Sequence, residues 1–158
     1  MKKERGNVWL GVSGVVMKEG KYLVVKKKYG GNQGKWTFPA GFVNPNETAD
    51  EAVVREVLEE TGIETTVQRI IGLRTGVIAE EVSDNMIVFQ LEATGGRLQA
   101  QEREIAEVCF MSKEELLNDQ QTSLMVPIFM NEKEEMLYDQ LNPGDVFRYT
   151  SYKLFDIR

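Results

Sequence analysis

Histidine is absent from this 158-residue chain, and cysteine occurs once, at Cys109. The first absence excludes Ser-His and Cys-His nucleophilic catalysis and any imidazole base, leaving a carboxylate, a lysine or a metal-bound hydroxide for that task. The second excludes an internal disulfide. Cys109 lies in the apolar run Val108 to Met111 and reads as a core residue rather than a nucleophile. No charged-then-apolar leader opens the chain and no apolar run is long enough to cross a bilayer, so the expectation is a cytoplasmic protein without membrane contact. Basic charge is also scarce. With 19 Lys and Arg against 25 Asp and Glu, the net charge is −6, and the phosphate backbone of duplex nucleic acid would be repelled. Small metal-complexed phosphates remain open as ligands. Internal repeats, low-complexity segments and domain-boundary signals are missing too, and the length suits one domain spanning 1–158.

What is present concentrates in one stretch, Gly41 to Ile63. Glu56, Glu59 and Glu60 stand at i, i+3 and i+4, the spacing that gathers side chains on one helix face. Three carboxylates there repel one another, and a helix that keeps them needs a cation. The helix is signalled at both ends. Thr48 with Glu51 makes a capping box, Asp50 adds negative charge to the first turn, and Gly62 is placed to stop the helix in a left-handed conformation. Val53, Val54, Val57 and Leu58 sweep out an apolar arc for packing on a sheet. Ala49 and Ala52 share the carboxylates' arc, where small side chains leave room for something to approach. Arg55 can pair with Glu51 or Glu59 one turn away. An all-carboxylate set points to Mg²⁺, with Mn²⁺ as a substitute, rather than zinc, and Mg²⁺ usually shares its ligands with substrate phosphates. The bland alternative is a solvated acidic helix.

The rest of the chain reads as strands around that helix. Val8 to Met17 and Tyr22 to Lys26 form a hairpin turned at Glu19-Gly20. Lys26, Lys27 and Lys28 are either a solubilising strand end or a cluster that attracts phosphates. Tyr29 to Gly34 is a flexible loop that could close over a ligand, without the spacing of a P-loop. Trp36 either packs in the core or stacks on a base. Thr65 to Leu73, Met86 to Ala93 and Ala106 to Met111 are strands, with Asp84-Asn85 breaking the chain before the second. Ser112 with Glu115 caps a further helix. Pro127 begins a last one, running from Ile128 to Leu141 and ended by Asn142-Pro143-Gly144. The tail Val146 to Ile157 is a last strand, a dimer contact or a lid, so residues 120–158 stand as a substrate or dimer element. Strands on both sides of a central helix fit an α/β fold with a mixed sheet between helices.

Gly41, five residues, Glu47, seven residues, Arg55-Glu56-Val57, one residue, Glu59-Glu60, one residue and Gly62-Ile63 resembles the signature box of the Nudix hydrolases at every fixed position. The segment Trp36 to Gly41 is similar to the family's Trp-x-x-Pro-x-Gly approach to the box. The resemblance implies an α/β/α sandwich with a catalytic loop-helix-loop. It implies that Glu56, Glu59 and Glu60 are metal ligands, one of the box glutamates serving as base in some members. Glu47 and Arg55 would support the loop-helix-loop by ion pairing, and Gly41 would supply backbone freedom next to the metal. Many members add a later carboxylate, for which Glu104, then Glu107, with Glu102 behind them, are the candidates here.

The implied activity is Mg²⁺-dependent pyrophosphohydrolysis of a small nucleotide-type substrate, nucleoside diphosphate-X to nucleoside monophosphate and phosphorylated X. Subfamily and substrate stay open, and homodimers are common among relatives. A non-catalytic nucleotide sensor is the rival, told apart by turnover. Isoprenoid diphosphate isomerisation is disfavoured because in the family it relies on histidines.

Overall fold

A computed structural model describes residues 5–130 and 137–157. Strand β1 (Val8–Lys18) turns through Glu19 and Gly20, both left-handed with φ 52° and 75°, into β2 (Lys21–Lys27). The pairing stops after two positions, Met17 with Tyr22 and Lys18 with Lys21. The two strands then diverge, and this divergence builds the sheet. β1 runs parallel to β6 (Val82–Gly96) over ten positions, while β2 pairs antiparallel with β7 (Ile105–Ser112). Short strands β3 (Trp36–Thr37) and β4 (Ala40–Phe42) pair with β2 and β1, and the long β5 (Ile63–Ile78) pairs with β6. Beyond β5 come β9 (Tyr149–Asp156) and β8 (Leu137–Tyr138), completing the order β3-β2-β1-β6-β5-β9-β8.

The mixed sheet separates two cores. On one, helix α1 (Ala49–Thr61) lays Ala52, Val53 and Val57 against Val12, Val16, Leu23 and Phe89. On the other, helices α2 (Lys113–Asn118) and α3 (Met125–Met130) bring Leu116, Val126 and Phe129 to Val24, Trp36, Phe38, Val88 and Leu154. This is the expected α/β/α arrangement. Trp36, 6% exposed, belongs to the second core.

Helix α1 begins where Glu51 accepts from the Thr48 amide (3.4 Å) and hydroxyl (2.6 Å). It ends at Gly62, whose φ of 77° lets its amide reach the Leu58 carbonyl at 2.9 Å. Two expectations for its faces are corrected. Leu58 is 46% exposed, lying at the edge of the arc, and Ala52 is fully buried in the sheet-facing core instead of leaving open space beside the carboxylates.

Three further expectations change. Asp84 and Asn85 do not break the chain. They lie inside β6, and the reversal comes earlier, at Ala79 and Glu80, both left-handed with φ 50° and 59°. Pro127 is the third residue of α3, which starts at Met125. Of the helix expected over 128–141, residues 131–136 lie outside the described residues, and Leu137–Tyr138 is a strand. Among the readings left open for the tail, Tyr149–Asp156 is a strand. No helix among the described residues is long and apolar enough to cross a membrane.

Candidate active site

Among the described residues, Glu60 is the carboxylate most withdrawn from water, at 1% exposure. Its position in the last turn of α1 carries it under the loop that joins β3 to β4. Oε1 accepts from the Ala40 amide at 3.2 Å and lies 3.9 Å from Lys27 Nζ, which also donates to the Ala40 carbonyl at 3.4 Å. Oε2 is buried with no hydrogen-bond partner. Burial pushes the carboxyl up to about 7, against the opposing pull of Lys27 and the Ala40 amide. Glu56 is raised by burial as well, with Arg55 pulling the other way.

Gly41 is required here for space. Its φ is not left-handed, so the glycine is not needed for a left-handed turn. A methyl group on it would fall 2.1–2.5 Å from the Glu56 carboxylate. The glycine thus lets β4 and its loop close onto the helix with Glu56 between them.

Arg55 organises the other side. Its Nε and Nη2 donate to Glu47 at 2.9 and 2.6 Å, Nη1 donates to Glu56 at 2.8 Å and Glu59 at 3.2 Å, and Nη2 also reaches the Phe42 carbonyl at 3.1 Å. Hydrogen bonds from Arg55 and the Asn44 amide hold Glu47 down to about 2. Of the two pairings open to Arg55, the one with Glu59 forms and the one with Glu51 does not, that carboxylate being engaged in capping Thr48. Arg55 and Lys27 together also supply positive charge to the three carboxylates, so the repulsion that seemed to demand a metal is partly answered by the chain itself.

Among the described residues, no three acidic or cysteine side chains are already gathered into a metal cage. Glu56 and Glu60 face Ala40 and Gly41 at the start of β4, while the Glu59 side chain is 48% exposed beside Arg55. The donor set still fits a hard cation. All donors are carboxylate oxygens, and the orphaned Oε2 of Glu60 is a buried acceptor without a hydrogen-bond partner.

The later carboxylates separate. Glu104 is exposed at the start of β7, where its carbonyl accepts from the Lys28 amide at 2.8 Å, and its charge helps raise Glu60. Glu107, 60% exposed, sits opposite Lys26, with Oε2 3.9 Å from its amine. Lys26 and Lys27 are neighbours on β2 yet serve different partners. Lys26 lies over the Trp36 ring and bonds Gln121, while Lys27 serves Glu60. Glu102 is exposed, and its carbonyl accepts from Lys28 Nζ.

Lys27, Ala40 and Gly41 also line a cleft of about 600 Å³ between the sheet and the α3 side, together with Asp84, Arg74 and Tyr149. These last three were not anticipated. Asp84 read as a turn residue, and nothing local in the sequence brings residues 74, 84 and 149 together.

A NUDIX domain model matches residues 9–131. The chain belongs to the NUDIX family. NUDIX relatives include an ADP-ribose pyrophosphatase of Methanocaldococcus jannaschii, 38% identical over 90 residues, which are 56% of this chain and 53% of that protein. Nudix hydrolase 2 of Arabidopsis thaliana is 37% identical over 69% of this chain and 41% of its own length. Phosphatase NudJ of Escherichia coli is 36% identical over 51% of this chain and 52% of its own. The chain thus matches about half the length of these relatives or less. Among solved NUDIX structures, MutT from Methanosarcina mazei Go1 superposes with a TM-score of 0.63 at 28% identity, covering 80% of this chain and 93% of that one. A MutT NUDIX hydrolase from Burkholderia pseudomallei gives 0.66 at 22% identity, with 77% and 94% covered.

Proposed function

We propose that this chain is a divalent-metal-dependent pyrophosphohydrolase that cleaves the diphosphate linkage of a nucleoside di- or triphosphate derivative, releasing a nucleoside monophosphate or its equivalent. The observation that carries the reading is Glu60, buried with one oxygen unpartnered, beneath a backbone loop and a lysine that line the cleft. A buried carboxylate oxygen without a hydrogen-bond partner is costly to keep, and a bound cation would relieve that cost. The activities of two similar proteins, an ADP-ribose pyrophosphatase and a structurally similar UDP-X diphosphatase (TM-score 0.58, 21% identity, 70% of this chain and 53% of that one covered), support a phosphoric anhydride as the bond broken.

In this reading Glu56, Glu59 and Glu60 would hold Mg²⁺, or Mn²⁺ in its place. When bound, the ion supplies charge neutralisation on the diphosphate and a more acidic water. The chain's own groups do the rest. Lys27, at the cleft wall, offsets phosphate charge. Arg55 fixes Glu56 and Glu59 and is itself anchored by Glu47. Gly41 leaves space for Glu56. Water oxygen bonds to phosphorus as the bridging P–O bond breaks, and the water proton passes to a carboxylate. Glu104, exposed yet electrostatically linked to Glu60, is the candidate for that base outside the box, ahead of Glu107, which faces Lys26. The working unit is the whole span 1–158, placed in the cytoplasm, where its single cysteine has no disulfide to form. Homodimerisation is part of the proposal, to be checked by light scattering.

The test is a turnover screen in Mg²⁺ across nucleoside triphosphates, ADP-ribose, nucleotide sugars, dinucleoside polyphosphates and capped RNA ends, with products identified by mass and Glu60→Gln alongside. Strong turnover of one class that vanishes in the variant supports the proposal. Binding of metal-nucleotide without turnover of any class would make the chain a sensor.

A further inference from the structure

Asp84, on β6, is 6% exposed. Its Oδ2 accepts from Arg74 Nη2 at 2.8 Å and from the Tyr149 hydroxyl. Both of these bonds go to Oδ2 rather than Oδ1, and Arg74 Nε is buried without a partner. An ion pair this withdrawn from water contributes little net stability, because desolvation offsets most of the attraction. Asp84, Arg74 and Tyr149 line the same cleft as Lys27 and Gly41.

The surroundings are flat and aromatic. The Arg74 guanidinium lies 5.8 Å over the Tyr149 ring, and Tyr149 stacks with Phe147 at 6.2 Å and 29°. Phe147 in turn presses on the glycine-rich loop so closely that a methyl group on Gly31 would fall 2.2 Å from its ring. Trp9 and Phe42, 40% and 57% exposed and edge-to-face at 5.9 Å, also line the cleft. A carboxylate acceptor among aromatic faces suits a planar heterocycle bearing an exocyclic amino group; the N3–H of uracil or thymine is flanked by two carbonyl oxygens, which Asp84 would repel as it would a second phosphate. Phe147 and Tyr149 lie outside the family match at 9–131, so this wall belongs to the chain's own C-terminal segment.

We propose that Asp84, positioned by Arg74 and Tyr149 and walled by Phe147, is a base-recognition site that favours nucleotides whose base carries an exocyclic amino group, adenine, guanine or cytosine, over uracil or thymine. The proposal rests on the pyrophosphohydrolase reading, since it assigns the nucleoside end of that substrate. Asp84 would accept from the amino group through Oδ1. A hydrogen bond to a charged acceptor in a shielded site separates bases by on the order of tenfold to a hundredfold in affinity.

Calorimetric titration in Mg²⁺ with α,β-methylene-ADP, α,β-methylene-UDP and base-free methylenediphosphonate tests it without turnover. The expected order is the adenine analogue tightest, the uracil analogue at least about tenfold weaker, and methylenediphosphonate weaker still. Asp84→Asn, which can donate to uracil, should bring the adenine-to-uracil ratio close to one, whereas Phe147→Ala should weaken both nucleotides alike and leave methylenediphosphonate unchanged. Equal affinity of the wild type for the two nucleotides would overturn the proposal even if Asp84→Asn does not fold, as would a ratio that survives in a folded Asp84→Asn. If methylenediphosphonate binds as tightly as the nucleotides, the base site falls while the pyrophosphohydrolase reading stands. If no analogue binds and the turnover screen is blank, both fall together.

Discussion

Glu60 and Gly41 test the proposed chemistry with the smallest changes. Glu60→Gln keeps the side chain's size and its contact with the Ala40 amide while removing the charge proposed to hold a cation. Turnover should fall by roughly 10²-fold or more, the scale on which a single charge-stabilising group is felt at a reacting centre, with the circular dichroism spectrum unchanged. Glu59→Gln should do the same. Gly41→Ala places its methyl onto the Glu56 carboxylate, a flexible side-chain end that can swing aside. The expected result is a loss of activity at least as evident in kcat as in KM, with a melting temperature close to wild type. Glu47 belongs to the support and should report through stability. Its carboxyl sits at about 2 in the fold, below its ordinary value of 4.5, so its stabilising contribution is present above pH 4.5 and disappears as pH falls toward 2. Glu47→Gln should therefore melt below wild type at pH 6, with the gap closing across that acidic window in a series of thermal melts. These residues were legible because the box places them within 23 consecutive positions. Arg74, Asp84 and Tyr149 were not, since they meet only after β5, β6 and β9 align.

Helix α1 could be read from sequence because its own residues end it, Thr48 with Glu51 at one side and Gly62 at the other. The long hairpin of β5 and β6 could not. Its reversal at Ala79-Glu80 uses two residues in left-handed backbone with no glycine, asparagine or proline to announce it, while Asp84-Asn85, which look like a turn, are held in the strand by Arg74 and Thr75. The same override converted Leu137–Tyr138 from expected helix to strand, where pairing with Phe155 and Leu154 was invisible locally. A non-glycine residue in this conformation costs on the order of 1 kcal/mol. Glu80→Gly should accordingly stabilise the protein by up to ~1 kcal/mol, read as a raised urea midpoint with an unchanged slope. A lowered midpoint would mean that the glutamate side chain compensates for its backbone.

At the scale of the molecule, the last strand in the sequence, β9, lies between β5 and the short edge strand β8. β9 pairs with β5 from Gly72 to Ile78 and buries Tyr152 and Leu154 in the core that also holds Trp36 and Phe129. The cleft wall is therefore continuous with the sheet. Stability should be shared between residues that are far apart in sequence. Leu154→Ala, at a fully buried site, should cost ~2–5 kcal/mol, a large part of the ~5–15 kcal/mol typical of a domain. If 1–158 folds as one unit, that loss should move the whole transition. Tryptophan fluorescence, from Trp9 near the cleft and Trp36 in the core, should shift to lower urea together with far-ultraviolet dichroism, which reports mainly the sheet and α1. If the two signals part in Leu154→Ala, with helix and central strands persisting after the tryptophan environment has changed, the C-terminal segment is an independently melting layer laid on a stable NUDIX core. Base recognition through Phe147 and Tyr149 could then be lost while the carboxylate helix stays folded.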